Sequence, residues 1–511
     1  MKRRGFIKNL FAGIGAGIGS WLLANRFEGA TWSSDRSYLP GAVQSARFDV
    51  SCGTRTELVR RSRYFEKNNS IVNRLADLFE CYTAGAGMQL HPSSSDAAWN
   101  KKAKASWETW TQFADLTSRA SFGTLMSLAA RTWFIDGEVF IVLTRGESGR
   151  PRLQLIEGHL CQTPPELKEQ EGVTITDGIA HDRNGRPQAY YFATEDKNGN
   201  KTFGAPRPAD FVVHLFEPSR PSQMRGLPFL YPVLNELHDL DDLHILEMRA
   251  CKDAAEKSNA LYNESGEINQ DAARRARFQE VQENPGGVVS TVNRAQYVTD
   301  TLGGRTVAMK KGEKLEQWRS ERPSVATSGY WKYKTDLVCA GVGIPSILVF
   351  PESMQGTVYR GALDMADAFF KARFAVISDA ARRIYEYVTA YNKIIEKPLQ
   401  DAPGDWRLVT IHAPRAVNVD VGRVSSAMLA ECAAGATNFE LIFGPLGLDW
   451  MEQMEKKAQQ VKFIKDLAAR YGVTPGEISN LSGEAILVAA EAEAQQKIAD
   501  DMIPQPQGAN A

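Results

Sequence analysis

The sequence lacks the paired cysteines, the phosphate-binding glycine loop and the excess of one charge that mark several large function classes. Its six cysteines, Cys52, Cys81, Cys161, Cys251, Cys339 and Cys432, stand 29 to 93 residues apart, and no Cys-x-x-Cys occurs. That spacing fits neither a zinc site nor a compact disulfide framework. Scattered buried thiols in a reducing cytoplasm are the expectation. The dipeptide Gly-Lys is absent, so no Gly-x-x-x-x-Gly-Lys-[Ser/Thr] loop can set a lysine on a nucleotide's phosphates. Gly-x-Ser-x-Gly is absent as well, which removes the commonest acyl-transfer signature. Lys plus Arg is 60 against 61 for Asp plus Glu, a net charge of −1. Proteins that grip nucleic acid through its phosphates carry a clear basic excess. The balance here argues against tight DNA binding and leaves weak passage of DNA open. No catalytic constellation and no cofactor motif stands out, so the chain reads as a non-enzyme without a cofactor.

What is present is enough apolar sequence to fold. Of 511 residues, 43% are apolar and 24% charged, which suits roughly three domains with real interiors. Residues 1–30 carry a competing signal. Arg3-Arg4-Gly5-Phe6-Ile7-Lys8 resembles a twin-arginine export motif, and an apolar run from Leu10 to Ala24 follows it. The run is too short for an ordinary membrane span, and no clear small-x-small cleavage site comes after it. It also holds Gly13, Gly15, Gly17 and Gly19, each costing about 1 kcal/mol in a helix relative to Ala. Two readings stand: a flexible Gly-rich arm, or the leader of an exported protein of unknown activity.

Further along, hydrophobic spacing predicts helix from Thr56 to Leu90, then around Trp107, Trp110 and Phe113, and from Leu125 to Phe134. Short runs at 139–143, 151–156, 173–181, 188–193 and 211–216 predict strands, and Asp182-Arg183-Asn184-Gly185 predicts a turn between two of them. A long helix is expected from Pro232 to Tyr262, then a polar, glycine-marked module over 263–323, then helix from Tyr330 to Val342. After a loop at 350–358, apolar residues from Ala362 to Tyr391 keep a 3–4 spacing and predict a long rod. The chain turns helical again from 425 and ends in a Pro/Gln/Gly/Asn tail at 503–511, expected to be disordered.

The best metal candidate is the segment His238-Asp239-Leu240-Asp241-Asp242-Leu243-His244. On a helix the two histidines point in different directions, and His238 with Asp242 makes only two ligands. A solvated or subunit-facing acidic surface is the plainer reading, and no metal is expected. Basic clusters stand at Arg60-Arg61-Ser62-Arg63 and at Arg274-Arg275-Ala276-Arg277. The second lies in the polar module, where a partner surface or DNA contact is conceivable.

Several stretches resemble the portal proteins of lambda-type tailed phages. They are Asp136-Gly137-Glu138-Val139-Phe140, Gly178-Ile179-Ala180-His181-Asp182 with Gly185-Arg186-Pro187, and Val213-His214-Leu215-Phe216. Arg220-Pro221-Ser222-Gln223-Met224-Arg225-Gly226, Lys311-Gly312-Glu313-Lys314-Leu315 and Gly341-Val342-Gly343-Ile344-Pro345 continue the likeness. In order and spacing it runs from about 55 to about 455.

The resemblance implies an α+β fold, an elongated subunit with a strand-rich wing, a helical stem, a small clip and a helical crown. Mapped onto this chain, the wing covers 31–225, the first stem helix 226–262, the clip 263–323 and the second stem helix 324–348. A tunnel loop at 349–360, a long wing helix and return strand at 361–424, and a crown-like region at 425–502 follow. The implied assembly is a ring, usually a dodecamer, at one capsid vertex of the virion, built in the host cytoplasm. It passes double-stranded DNA during packaging and ejection. Its implied partners are the terminase large subunit, the major capsid protein and scaffold, and the head-completion or connector proteins. Channel lining falls on Met354, Gln355, Thr357, Tyr359 and Arg360, and the clip's partner surface on Arg274, Arg275 and Arg277. Gln355-Gly356-Thr357-Val358-Tyr359-Arg360 departs from the family's usual Asn-Tyr-Ser-Ser-x-Arg in all but a hydroxyl and the arginine.

Overall fold

The computed structural model describes residues 45–85, 88–167, 173–256, 259–263, 280–283, 289–292, 298–301, 304–307, 313–317, 325–350, 356–414, 421–446, 448 and 450–478. The arm at 1–30, the arginines at 274, 275 and 277, Met354, Gln355 and the tail at 503–511 lie outside these residues. In chain order the main helices are α1 (Cys52–Asn68), α2 (Ser70–Thr83), α3 (Ala97–Thr111) and α4 (Phe122–Asp136). They continue with α5 (Leu234–Glu256), α6 (Val325–Val342), α7 (Gly356–Ile395), α8 (Val421–Ala433) and α9 (Trp450–Tyr471). The main strands are β1 (Leu90–Pro92), β2 (Glu138–Arg145), β3 (Pro151–Glu157), β4 (Thr174–Thr176), β5 (Ile179–His181), β6 (Pro187–Tyr190) and β7 (Val212–Phe216). The fold is mixed helix and strand. The chain divides into two units, one holding Val50–Asn68 and Phe229–Ser353, the other Gln44–Asp49, Asn69–Pro228 and the residues from Met354 on.

The second unit has the larger core. Helix α2 starts where Asn69, extended in backbone, accepts from the Ile71 and Val72 amides at 3.0 and 3.3 Å. Its buried face is Ile71, Val72, Leu75, Ala76, Leu78 and Phe79, an i, i+3/i+4 stripe. Asp96 caps α3 and Ser121 caps α4 in the same way. Phe79 meets Trp133 and Phe134 of α4, and Trp107 meets Trp110 and Phe122. The long helix α7 closes this core: Phe369 stands against Phe79, Phe370 against Tyr82 and Tyr385 against Trp107. Strands β7, β2 and β3 form an antiparallel sheet in that order, with His214 opposite Phe140 and Phe216 opposite Glu138. Each residue of β2 from Glu138 to Leu143 is buried, because helices cover one face and the β4–β6 module the other.

Several sequence expectations change here. The single strand expected at 173–181 is two, β4 and β5, because Asp177 (φ +49°) and Gly178 (φ +82°) turn the chain back on itself. The first helical stretch ends at Thr83, and Leu90–Pro92 is a strand paired with Val409–Ile411, a partner some three hundred residues away. The helix expected to Tyr262 ends at Glu256, and Asn259–Asn263 is a strand paired with Glu313–Gln317. The turn at 182–185 is confirmed: Asp182 Oδ1 accepts from the Asn184 and Arg186 amides at 2.9 Å, and Gly185 has φ +84°.

In the first unit, α5 and α6 form a pair. Their shared interior is Leu234, Leu237 and Leu240 with Thr335, Val338, Cys339 and Val342. Lys334 donates to Glu236 and lies 3.6 Å from Asp239. Gly341 has no space for a side chain, since a Cβ there would lie 2.2 Å from Val233. Helix α1 joins the pair through Arg61, which donates to Asn235 at 3.4 Å. The polar module adds three two-stranded ladders: 259–263 with 313–317, 280–283 with 289–292, and 298–301 with 304–307.

Candidate functional site

Three of the stretches that carried the resemblance, 136–140, 213–216 and 220–226, meet in the second unit at one buried ion pair. Glu138 opens β2, which is buried from Glu138 to Leu143, and its side chain is 1% exposed. A carboxylate so deep needs a matched counter-charge, since an unpaired one costs several kcal/mol or more. Arg225 supplies it, with Nη2 at 2.6 Å from Oε1 and Nε at 3.0 Å from both carboxylate oxygens. The remaining donors reach carbonyls of Gly158 (2.7 Å), Cys161 (3.0 Å) and Asp177. Glu138 Oε2 also accepts from the Gly226 amide at 2.9 Å and lies 2.9 Å from His214 Nε2. The His214 ring is stacked on Phe140 and Phe216, at 4.2 and 4.3 Å between centroids. Burial is the strongest single influence and works against the charge on Arg225, but Glu138, Cys161 and Asp177 together outweigh it, so the guanidinium pKa lies above its ordinary value. Burial pushes the neighbouring Tyr190 phenol up to about 12. These groups bind one another, and the arrangement ties together segments far apart in the chain.

Of the residues expected to line a channel, Thr357, Tyr359 and Arg360 are brought together on the opening turns of α7. This corrects the loop expected to 360: the helix already runs from Gly356, a residue that lowers helix preference without forbidding a helical start. Arg360 is exposed and Tyr359 half-buried. His238 Nδ1 lies 3.4 Å from Asp242 Oδ2 in a largely exposed pair, and no group of three metal-ligating side chains occurs among the described residues. Arg60 and Arg61 both bind Glu57; Arg60 is exposed, whereas Arg61 is half-buried, Ser62 is buried and Arg61 also reaches Asn235. No described helix is long and apolar enough to cross a membrane.

A second feature lies in the first unit, on α5 and α6. From Asp242 to Lys252 and from Thr327 to Lys334 no residue is buried. These stretches and the turn after them nonetheless present Ile245, Leu246 and Met248 on one helix and Tyr330, Tyr333 and Leu337 on the other, 38–61% exposed. Such an unshared apolar surface marks a site of association.

The family model for "Phage portal protein, lambda family" matches residues 41–357. The chain belongs to this family of phage portal proteins. Among curated relatives, the probable portal protein of Halomonas phage phiHAP-1 is 30% identical over 160 residues, 30% of this chain and 31% of that protein. The chain thus spans about a third of the length of the curated relative it matches. Among solved structures, a chain in the neck of the native GTA particle (C12 symmetry) aligns with TM-score 0.42 and 13% identity over 80% of this chain and 96% of that one. An HK97-family phage portal protein from Corynebacterium diphtheriae aligns with TM-score 0.28 and 12% identity over 61% and 83%. The match to the portal family contains the whole Glu138–Arg225 cluster and both helices of the α5/α6 pair.

Sequence reasoning named Glu138, His214 and Arg225 only as letters of a resemblance and did not see that they meet. A signal was present: an acid at the head of an otherwise apolar, buried strand demands a cation from elsewhere in the chain.

Proposed function

We propose that the chain is the subunit of a closed ring at one capsid vertex, a channel for double-stranded DNA during packaging and ejection. Family membership supports the role. The observation that carries the ring is the exposed apolar surface on α5 and α6, which a neighbouring copy would cover. Head-to-tail contacts around an axis close into a ring when the rotation closes. Twelve copies, docking of the terminase large subunit and later of a head-completion protein, contact with the major capsid protein and scaffold, and assembly in the host cytoplasm belong to the same reading. Arg274, Arg275 and Arg277 would face the motor. Met354, Gln355, Thr357, Tyr359 and Arg360 would line the channel, uncharged apart from one cation, as suits a wall that releases a polyanion. The protein neither hydrolyses ATP nor selects a DNA sequence, in keeping with the missing phosphate-binding loop and the net charge of −1. Negative-stain imaging of the purified protein tests the reading. Rings with a central hole are the expected result; monomers alone at micromolar concentration, with no ring in capsids, overturn it.

A further inference from the structure

The chain leaves the second unit at Pro228 and enters the first at Phe229, and the residues just before that point are held with unusual force. Arg225 is bonded by all its nitrogens to Glu138 and to carbonyls of three further residues, Gly158, Cys161 and Asp177. The next amide, Gly226, donates to the same buried carboxylate. The backbone of 226–228 then lies directly on Gly137. A Cβ on Gly137 would fall 2.0 Å from the Leu227 carbonyl carbon, and one on Gly226 would fall 2.1 Å from the Gly137 oxygen. Neither position admits any other residue without moving backbone. Gly137 is also the left-handed residue that ends α4 and leads into β2. The last four residues before the crossing are therefore fixed to a helix end, one strand and two turns of the second unit at once.

We infer that Glu138, Arg225 and the Gly137–Gly226 contact form an anchor that makes residues 225–228 part of the rigid body of the second unit. Any bending of the chain at this crossing is then taken up from Phe229 onward. An ordinary exit loop would instead exchange freely and bend along its length. The anchor lies within one polypeptide and holds whether or not the ring reading is right.

Hydrogen exchange followed by mass spectrometry on the intact protein tests it. In the unaltered chain the amides of Gly226 and Leu227 should be as protected as β2 and β7, since they open only with that sheet. Glu138→Gln keeps the size and an acceptor and removes the charge. It should speed exchange of 225–228 by roughly a hundredfold, while 139–143 and 212–215 change far less. Arg225→Lys, which retains charge and loses the fork, should act in the same direction. Fast exchange of Gly226 and Leu227 in the unaltered chain overturns the anchor without need of any variant. Equal acceleration of the sheet and of 225–228 in both variants overturns it too, since the pair would then be ordinary core support.

Discussion

In the second unit, Phe79, Phe122, Trp133 and Phe134 are fully buried, and Glu138 is met by a guanidinium, an imidazole and an amide. In the α5/α6 pair, Ile245, Leu246, Met248, Tyr330 and Tyr333 stand exposed on stretches without a buried residue, and Leu337 is exposed just beyond them. These second-unit groups are satisfied within one chain, although the same unit exposes other apolar residues, among them Met365 and Ile394. The α5/α6 groups stay exposed among the described residues, and on the ring reading a neighbouring copy covers them. Substitutions in the two places should therefore separate folding from assembly.

The largest effect is expected from Phe370→Pro. The proline removes a backbone bond in the middle of α7 and costs about 3 kcal/mol or more, and a buried ring is lost with it. Soluble, folded protein should fall to a trace by circular dichroism; normal yield would show that α7 is not a continuous structural element. Next is Glu138→Ala, which leaves Arg225 buried without its counter-charge and should cost about 3–5 kcal/mol. Denaturant unfolding of the subunit measures it, and a loss below about 1 kcal/mol would break the contrast between the two regions.

A smaller effect concerns pH. Burial opposes the charge on Asp115, but the Thr117 hydroxyl and backbone amides, among them Arg119, hold its carboxyl below the usual range. A group with a lowered folded pKa stabilises the fold fully above its unfolded value, and loses that contribution as pH falls through the folded one. Stability should therefore drop as pH falls below about 3.8, the ordinary value, and Asp115→Asn should flatten that part of the curve. An unchanged slope in the variant would exclude Asp115 as a source.

Local patterns were legible in the sequence where local physics sets the outcome. The apolar spacing of α7, the short apolar runs of the strands from 139 to 216 and the Asp182–Gly185 turn all follow from neighbours in the chain. What escaped depends on distant partners. Asn259–Asn263 becomes strand because Glu313–Gln317 pairs with it, and Leu90–Pro92 because Val409–Ile411 does. Helix α7 starts before the spacing that predicts it, because Gly356 to Gly361 add little to the apolar stripe that begins at Ala362. The Glu138–Arg225 pair spans 87 residues, and spacing alone gives no hint that the two side chains meet.

The central claim is that the α5/α6 surface is covered by a second copy of the chain. Leu246→Asp tests it most directly, because Leu246 is 61% exposed and a surface change of this kind alters subunit stability by only about 0.5 kcal/mol. Mass photometry of the variant beside the unaltered protein reads the result. The account predicts closed assemblies of many subunits for the unaltered chain and single folded subunits for the variant. Assemblies of equal mass and abundance from both would contradict it.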